Sequence, residues 1–583
     1  MHLKKIKNKI GRTHLSIVQS YRTPEGKTRA KTILSIGYLD ELLKTQNDPI
    51  TYYTELAKQM TNEQEIEEAT VTFTFNRNEI IPVGTVNRKS FGYAAISKLY
   101  HQLRIHEFFH NKQRHSSEQY DANAIMKLLV FMRLLDPSSK KQAYENKDYI
   151  FERTDFTLDD IYRCLSLFDR HKDTLMIWLH ENIRAQYGRD TNLVYYDVTN
   201  YYFELDGNEG FESKKKDNPE RKPDEFRKKG VSKEHRPDPI IQMGLFIDNN
   251  GIPITYKLFP GNTNDCMTYR PNLSDIKRKF GLGRAIVVAD KGMNTGDNIW
   301  YTLSAKDGYV FSMSVRGANK EIKDFVLNPF GYEQFGDEYK RKSRLEPRTI
   351  HVTASDGGKI EKIVHEKQVV FYSEKYDKRA KAERASVLAK AHDMIKHPER
   401  HTRATSFGAA AYVKNVAFDK KTGKIINTGK RLEFDTEKLR EQEFLDGYYM
   451  IVTSEHKESD DRIIEMYRGL WKIEESFKIT KSELESRPVF VSTKEHIEGH
   501  FLTCFVALLL ARVLEKSTSY KHSISSLLYS LGKSECSLLQ RNYYFFNYND
   551  VVLNDIGNCL SIDFSKKVRS LSEIKNILSD VKI

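Results

Sequence analysis

Residues 193–199 read Leu-Val-Tyr-Tyr-Asp-Val-Thr and residues 285–290 read Ala-Ile-Val-Val-Ala-Asp, and these two stretches decide the fold. Short apolar runs rich in Val, Ile and Tyr are typical of buried strands. Each run leads into an aspartate, so we expect Asp197 and Asp290 to lie at the ends of two strands. An aspartate at a strand end often serves only as a turn or cap residue. The pair therefore needs a third partner before it indicates a site.

Residues 467–481, Tyr-Arg-Gly-Leu-Trp-Lys-Ile-Glu-Glu-Ser-Phe-Lys-Ile-Thr-Lys, supply a third carboxylate. We expect one helix over residues 459–484, because apolar residues recur at helical spacing and would anchor one face. At about 3.6 residues per turn, the neighbouring stripe carries Tyr467, Trp471, Glu474, Lys478 and Lys481. One reading of this stripe is a metal ligand beside a phosphate backbone. The other is a solvated helix edge with a Glu474–Lys478 ion pair.

Three converging carboxylates would suit phosphoryl transfer. Hard cations such as Mg²⁺ prefer oxygen ligands, and a pair of them can stabilise both the attacking and the leaving oxygen. We therefore expect Asp197, Asp290 and Glu474 to form one metal-binding site.

The composition favours a nucleic-acid partner. The 583 residues include 93 Lys and Arg against 80 Asp and Glu, a net charge of +13, and such an excess favours polyanions. The five cysteines include no C-x-x-C pair, which argues against a disulfide framework or a structural zinc site. The N-terminus lacks the apolar core of a signal peptide, and the most apolar run, residues 501–514, is short for a membrane span. We expect a cytoplasmic protein that is nucleoid-associated when bound to DNA and is not embedded in a membrane.

Turn and cap signals outline the remaining elements. We expect one β-hairpin at residues 13–39, around the turn Thr23-Pro24-Glu25-Gly26, and another at residues 240–259, around the turn Asn249-Asn250-Gly251. Further expectations are a strand within 71–84, helices from about 90 to 188, an exposed polar loop at 206–239, and a helix from 493 to 516 that is capped by Ser492-x-x-Glu495.

These segments together resemble the DDE transposases of bacterial insertion sequences, in the IS-four superfamily. The signature of that group places Tyr, Arg, Glu and Lys on one helix, and Tyr467, Glu474 and Lys481 match it. The arginine position holds Leu470, whereas Arg468 adjoins the tyrosine, so a replacement role for Arg468 stays open. The other similar segments are residues 196–199, 202–204, 251–253, 259–263, 288–293, 487–490 and 500–502.

The resemblance implies a DNA transposase that cleaves insertion-sequence ends and transfers the strands into target DNA. Asp197, Asp290 and Glu474 would be the catalytic residues and would hold two Mg²⁺ or Mn²⁺ ions. The residues that would contact DNA are Tyr467, Arg468, Lys478 and Lys481. Two copies of the chain would pair two element ends. Related enzymes carry an aromatic wedge in an insertion domain, and the aromatic residues available here are Phe330, Tyr332, Phe335 and Tyr339, although core packing would also explain them.

The implied fold class is α/β, with a ribonuclease-H-like catalytic core, a mainly β insertion, an α+β N-terminal region and a helical C-terminal tail. The expected boundaries are 1–85 for a β-containing region, 86–190 for a helical region that binds the DNA end, 191–316 with 447–516 for the core, 317–446 for the insertion and 517–583 for the tail.

Two other functions fit parts of the pattern. A DNA-binding protein with a decayed catalytic site would keep the positive charge, although the presence of all three acids argues against decay. A glycosidase also uses paired carboxylates, but it would not explain the lysines beside Glu474, and it would not need a divalent metal.

Overall fold

The computed structural model describes residues 1–8, 10–22, 28–114, 116–204, 226–230, 233, 238–336, 338–403, 405–406, 408–419, 422–426 and 429–582. The turn expected at 23–26 and most of the polar loop expected at 206–239 lie outside these residues. The chain forms two compact units: Met1–Val86 with Leu539–Arg541, and Asn87–Leu538 with Asn542–Ile583.

The first unit is a small α+β structure. Its antiparallel sheet has the order β1-β2-β3, with β1 at His2–Lys7, β2 at Thr13–Arg22 and β3 at Thr28–Tyr38. Helices α1 (Leu39–Leu42) and α2 (Pro49–Ala69) follow. The central strand buries Leu15, Ile17 and Val18. Residues 71–84, expected to include a strand, contain none.

The second unit begins with a helical layer. Its elements are β4 (Arg88–Ser90), α3 (Tyr93–Gln102), α4 (Ile105–Gln113), α5 (Ala122–Leu135), α6 (Lys140–Glu145) and α7 (Leu158–Tyr187). Asp121 caps α5 by accepting a hydrogen bond from the Ala124 N–H, and Thr157 and Asp160 form a capping box on α7. The apolar faces of α5 and α7 belong to the core of this unit. Residues 87–190 are therefore part of the same compact unit as the carboxylates.

Five strands follow the helical layer and form the centre of a large sheet. The elements are β5 (Leu193–Tyr202), β6 (Ile240–Asp248), β7 (Pro253–Pro260), α8 (Asp265–Phe280), β8 (Ile286–Ala289), α9 (Gly296–Ser304) and β9 (Gly308–Met313). The order is β7-β6-β5-β8-β9; β5, β6 and β7 are antiparallel, and β8 runs parallel to β5 and β9. Helices cover both faces. This arrangement fits the ribonuclease-H-like α/β core.

Residues 317–446 contain helices and strands in similar amounts, so the mainly β insertion that the family resemblance implies is wrong. Their elements are α10 (Lys320–Leu327), β10 (Glu333–Phe335), β11 (Tyr339–Thr353), β12 (Lys359–Ser373), α11 (Glu374–Lys396), β13 (Val413–Lys414), β14 (Glu433–Phe434) and α12 (Thr436–Glu443). Helix α11 is rich in Ala, Lys, Glu and Arg, which are strong helix formers. After these elements, β15 (Tyr448–Thr453) pairs with both β9 and β12. The insertion strands thereby extend the core sheet to the order β10-β11-β12-β15-β9-β8-β5-β6-β7.

The C-terminal part contains the glutamate helix and a mixed tail. Its elements are α13 (Asp460–Arg468), α14 (Trp471–Ser482), α15 (Lys494–Ser517), α16 (Ile524–Lys533), β16 (Glu535–Leu538), β17 (Tyr543–Phe546), α17 (Val551–Leu560), β18 (Val568–Ser570) and α18 (Leu571–Asp580). The tail is therefore not wholly helical. Its three strands form a sheet with β4, a partner far away in the chain that local sequence patterns do not reveal.

Helix α15 differs in two respects from the expectation. Its N-cap is Thr493, whose side chain accepts a hydrogen bond from the His496 N–H, and not Ser492. At 24 residues it is long and apolar enough to cross a membrane, but its apolar stretch is entirely buried inside the protein. It is therefore the central helix of the core.

Candidate active site

The register of the parallel strands places Asp197 beside Asp290. Tyr196 of β5 pairs with Ala289 of β8, so the two aspartates are the next residues on neighbouring strands. Asp290 directly follows the last residue of β8, as expected. Asp197 lies in the middle of β5 and not at its end, because β6 continues to pair with β5 as far as Tyr202.

Strand alternation puts both aspartates on the face of the sheet that carries the helical layer. Side chains two residues apart on a strand share a face, so Asp197 shares a face with Tyr195 and Tyr201, and Asp290 with Val288. Those three residues belong to one hydrophobic cluster with apolar residues of α13, α14 and α15. Helix α14, which carries Glu474 in its first turn, therefore covers the face that presents the aspartates.

Two hydroxyl groups hold the carboxylate of Asp290. Ser312 on β9 donates a hydrogen bond to its Oδ1 at 2.9 Å, and the Tyr467 hydroxyl approaches the same oxygen at 3.4 Å. Burial raises the pKa of Tyr467, and the negative charges of Asp290 and Glu474 raise it further. The phenol therefore remains protonated and able to donate. Ser312 could not be predicted from the sequence, because its role depends on the pairing of β8 with β9.

The three acids repel one another. Burial raises the pKa of Asp197 to about 6, and the nearby charges of Asp290 and Glu474 also raise it. The charge of Lys233 and a hydrogen bond from the Val198 N–H, at 2.7 Å, act in the opposite direction. Asp290 and Glu474 are thus close enough to Asp197 for their negative charges to act on it.

The helix expected over residues 459–484 is two helices. Helix α13 ends at Arg468 and α14 begins at Trp471. Gly469 lies between them against Tyr195, and an ideal Cβ there would be 1.9 Å from the Tyr195 hydroxyl oxygen. The continuous stripe from Tyr467 to Lys481 is therefore wrong as a helix geometry. The sequence could not show that Gly469 packs closely on Tyr195, because the two residues are about 270 positions apart in the chain.

The two lysines that the resemblance assigns to DNA contact on this helix lie in different environments. Lys481 is half-buried, with its Nζ 5.7 Å from the centre of the Tyr201 ring. Burial lowers the pKa of Lys481 to about 8, with a further decrease from Lys233 and an opposing effect of Asp197. Lys478 is exposed on the same helix. The structure therefore brings Lys481, as well as Tyr467, to the carboxylates.

Arg468 is exposed and lies towards the insertion. Burial raises the pKa of Tyr339, and the positive charge of Arg468 lowers it. The charge of Arg468 also acts on Asp461. Its neighbours thus differ from those of Tyr467, which lies beside Asp290. Leu470, at the arginine position of the signature, is buried.

The aromatic residues of the insertion also separate. Tyr332 donates a hydrogen bond from its hydroxyl to the Val326 carbonyl at 2.7 Å, and Tyr339 packs near Phe371. Phe335 is half-exposed, whereas Phe330 is 82% exposed. Core packing therefore accounts for the two tyrosines and leaves Phe330 unexplained by it.

A buried arginine that sequence patterns did not indicate fixes α14 to α15. Arg512 donates to Glu475 Oε2 at 2.8 Å, Ser476 Oγ at 2.9 Å and the Lys472 carbonyl at 3.0 Å. It also donates to Glu515 on its own helix at 2.9 Å. Because these acceptors flank Glu474, Arg512 sets the position of the helix that carries it.

The donor set fits a divalent cation. Within the described residues, no three His, Cys, Asp or Glu side chains are already arranged to bind one metal ion. Asp197 Oδ1 accepts a hydrogen bond from the Val198 N–H, and Asp290 Oδ1 accepts hydrogen bonds from the hydroxyl groups of Ser312 and Tyr467. Carboxylates are the preferred ligands of hard cations, and a cation between these acids would offset their mutual repulsion.

Two family models match the chain. The family model of the transposase DDE domain matches residues 214–510, and that of the IS1634 family transposase N-terminal domain matches residues 3–70. No curated protein matches the chain.

Two solved structures show weak likeness. One is a piggyBac transposase synaptic complex with hairpin DNA, at 8% identity and a TM-score of 0.32, covering 84% of this chain and 82% of that one. The other is a Mos1 transposase paired-end complex with the left transposon end, at 11% identity and a TM-score of 0.13, covering 46% and 69%. The match of the catalytic-domain model over half of the sequence identifies the family: the chain belongs to the DDE transposases, enzymes that cleave DNA and transfer its strands.

Proposed function

We propose that Asp197, Asp290 and Glu474 are the catalytic residues of this transposase and together hold two Mg²⁺ or Mn²⁺ ions. The observation that carries the proposal is the register of β5 and β8, which makes Asp197 and Asp290 neighbours on the face covered by α14. Bound ions would activate the attacking oxygen and neutralise charge on the phosphate. The reaction is cleavage at the ends of the insertion sequence, followed by strand transfer into target DNA.

The surrounding side chains orient the acids. Ser312 and Tyr467 fix the Asp290 carboxylate, and Arg512 fixes the helix of Glu474. Partners that orient metal ligands commonly affect activity as strongly as tenfold or more. These contacts support a site whose carboxylates are oriented before DNA binds.

Tyr467, Arg468, Lys478 and Lys481 contact the DNA backbone in this proposal. Lys481 is close enough to Asp197 for that charge to act on its pKa, and a lysine is a mobile point charge suited to a phosphate. Its partial burial beside Asp197 supports a role in holding the reacting phosphate. Arg468 would contact DNA that passes along the insertion side. Two copies of the chain would pair two element ends, in a cytoplasmic protein associated with the nucleoid when bound to DNA.

The decisive experiment compares cleavage and binding on DNA from the ends of the protein's own element. Asp197→Asn, Asp290→Asn and Glu474→Gln should each give no cleavage product with Mg²⁺. Their affinity for the same DNA without metal should stay within about twofold, since contacts with phosphates dominate affinity. Glu495→Gln, which changes an exposed acid in the first turn of the next helix, is the matched control and should cleave normally.

Two outcomes would contradict the proposal. Normal cleavage by any one of the three variants would remove that residue from the site. Binding without cleavage by the unaltered protein, with either metal, would favour the decayed DNA-binding protein.

Lys481→Ala tests the DNA contacts. We expect weaker binding to every DNA sequence and a salt dependence reduced by about one phosphate contact. If Arg468 has replaced the signature arginine, Arg468→Ala should show the same pattern. Unchanged binding and cleavage in both variants would leave only a solvated helix edge.

A further inference from the structure

The first unit of the chain is strongly polarised in charge. Residues 1–38, which include the whole three-stranded sheet, contain nine Lys and Arg but only one acid, Glu25. Residues 39–69, which include α1 and α2, contain two Lys and eight Asp and Glu. The sheet half therefore carries more than half of the net +13 of the entire chain. This separation makes the sheet attractive, and the helices repulsive, to a polyanion.

Part of the sheet projects as a two-stranded ribbon. Strand β1 pairs with β2 only from Thr13 to Val18. Beyond that point β2 continues with β3 alone, through pairs that begin with Gln19–Lys31 and end with Arg22–Thr28. We name residues 19–22 and 28–31 the β-ribbon.

One face of the β-ribbon carries side chains suited to base edges. Directly paired residues share a face, so Gln19 and Lys31 lie together, and Arg29, two positions from Lys31, lies on the same side. Arg29 and Lys31 are exposed. Arg and Lys are the usual partners of guanine O6 and N7, and Gln is a usual partner of adenine.

A different cation of this unit shows what a structural role looks like here. Arg12 is paired with both Asp40 and Glu41 and stacks on Tyr38 with its Cζ 4.1 Å from the ring centre. It ties the sheet to α1. Arg29 and Lys31 are instead on the strand of the ribbon whose residues 28–35 are all exposed.

We infer that the β-ribbon binds the major groove of duplex DNA at the element end and supplies sequence recognition. The major groove is about 12 Å wide and admits a two-stranded ribbon, whose strands are roughly 5 Å apart. Arg29 and Lys31 contact base edges, and the exposed lysines of β1 contact phosphates. The inference uses the transposase family but not the identity of the catalytic residues. It gives the β-ribbon the recognition role that the sequence pattern suggested for residues 86–190, whose helices contribute to the core of the second unit.

The test measures binding by the full-length protein in EDTA, so the catalytic site does not enter. Fluorescence anisotropy compares a duplex from the element's own end with a shuffled duplex of the same composition. Arg29→Lys keeps the charge but loses the two-pronged contact, so the ratio of the two affinities should fall about tenfold with an unchanged salt slope. Lys31→Ala should lower that ratio and also reduce the salt slope by about one phosphate contact if it bridges base and backbone.

The matched control is Lys58→Ala, which removes an exposed cation from α2 among the acids. It should leave both affinities within about twofold. All three substitutions are at exposed positions, so thermal unfolding should be unchanged and a lost ratio cannot reflect misfolding. An affinity ratio within about twofold of the original protein in both ribbon variants would overturn the inference, as would an equal loss for both duplexes.

Discussion

The buried guanidinium of Arg512 gives the sharpest prediction of stability. Its side chain is only 3% exposed, and it faces Glu515, 11% exposed, and Glu475, 32% exposed. Arg512→Met keeps much of the volume but removes the charge. Breaking a buried pair from one side costs roughly 3–5 kcal/mol, whereas the half-exposed Glu475 contributes at most about 1 kcal/mol. We expect the free energy of unfolding to fall by about 3 kcal/mol, and the Tm by at least roughly 5 °C.

The dependence on pH and a second substitution identify the cause. Burial raises the pKa of Glu515, and Arg512 opposes this effect. A carboxyl whose folded pKa is raised destabilises the fold when ionised, so the deficit should be full at pH 7.5 and shrink as the pH falls towards 5. Adding Glu515→Gln to Arg512→Met should restore at least half of the lost Tm at pH 7.5.

The same variant also reports on the glutamate helix. Well below the unfolding temperature, we expect DNA cleavage at least about tenfold slower, because Glu474 loses its fixed position. A Tm change below about 2 °C at pH 7.5, with no effect of Glu515→Gln, would refute the reasoning.

Three further substitutions test the packing and the polar partners. Gly469→Ala should lower the free energy of unfolding by about 1–3 kcal/mol, because its Cβ would overlap the Tyr195 hydroxyl. Gly292→Ala, where a Cβ meets open space, is the control, and equal thermal stability of the two variants would contradict the clash. Ser312→Ala should slow cleavage roughly tenfold by releasing Asp290, whereas Ser314→Ala, at an exposed position just after β9, should not; equal rates in a single-turnover assay would count against the hydrogen bond. Burial lowers the pKa of Lys140 to about 7, and its Nζ donates a hydrogen bond to His500 Nδ1 at 3.0 Å. Between about pH 7 and 10.5 the unfolded chain therefore holds a proton on Lys140 that the folded chain has lost. The free energy of unfolding should rise as the pH increases over this range. Lys140→Met should flatten that rise in urea titrations and Lys141→Met, at an exposed site, should keep it; an unchanged slope in Lys140→Met would show that another group titrates.

Local sequence patterns determined the strands of Asp197 and Asp290 and the hairpin of β6 and β7. These features can be recognised from residues that are close together in the chain: the apolar run before Asp290, the Asn249-Asn250-Gly251 turn and the two aspartates. Strand β6 ends at Asp248 and β7 begins at Pro253, as the turn predicts. Apolar periodicity also indicated the glutamate helix, because burial of one face requires that spacing whatever the partner.

Only the tertiary structure decided how these pieces meet. The neighbourhood of Asp197 and Asp290 comes from parallel pairing, which leaves no mark on either strand alone. The close approach of Gly469 to Tyr195 and the anchoring of α14 by Arg512 both join segments that are distant in the chain. The same holds for the tail, whose strands require β4 from the other end of the unit. Charge and spacing are local properties that a sequence carries, whereas strand partners, clashes and buried ion pairs exist only once distant segments are packed together.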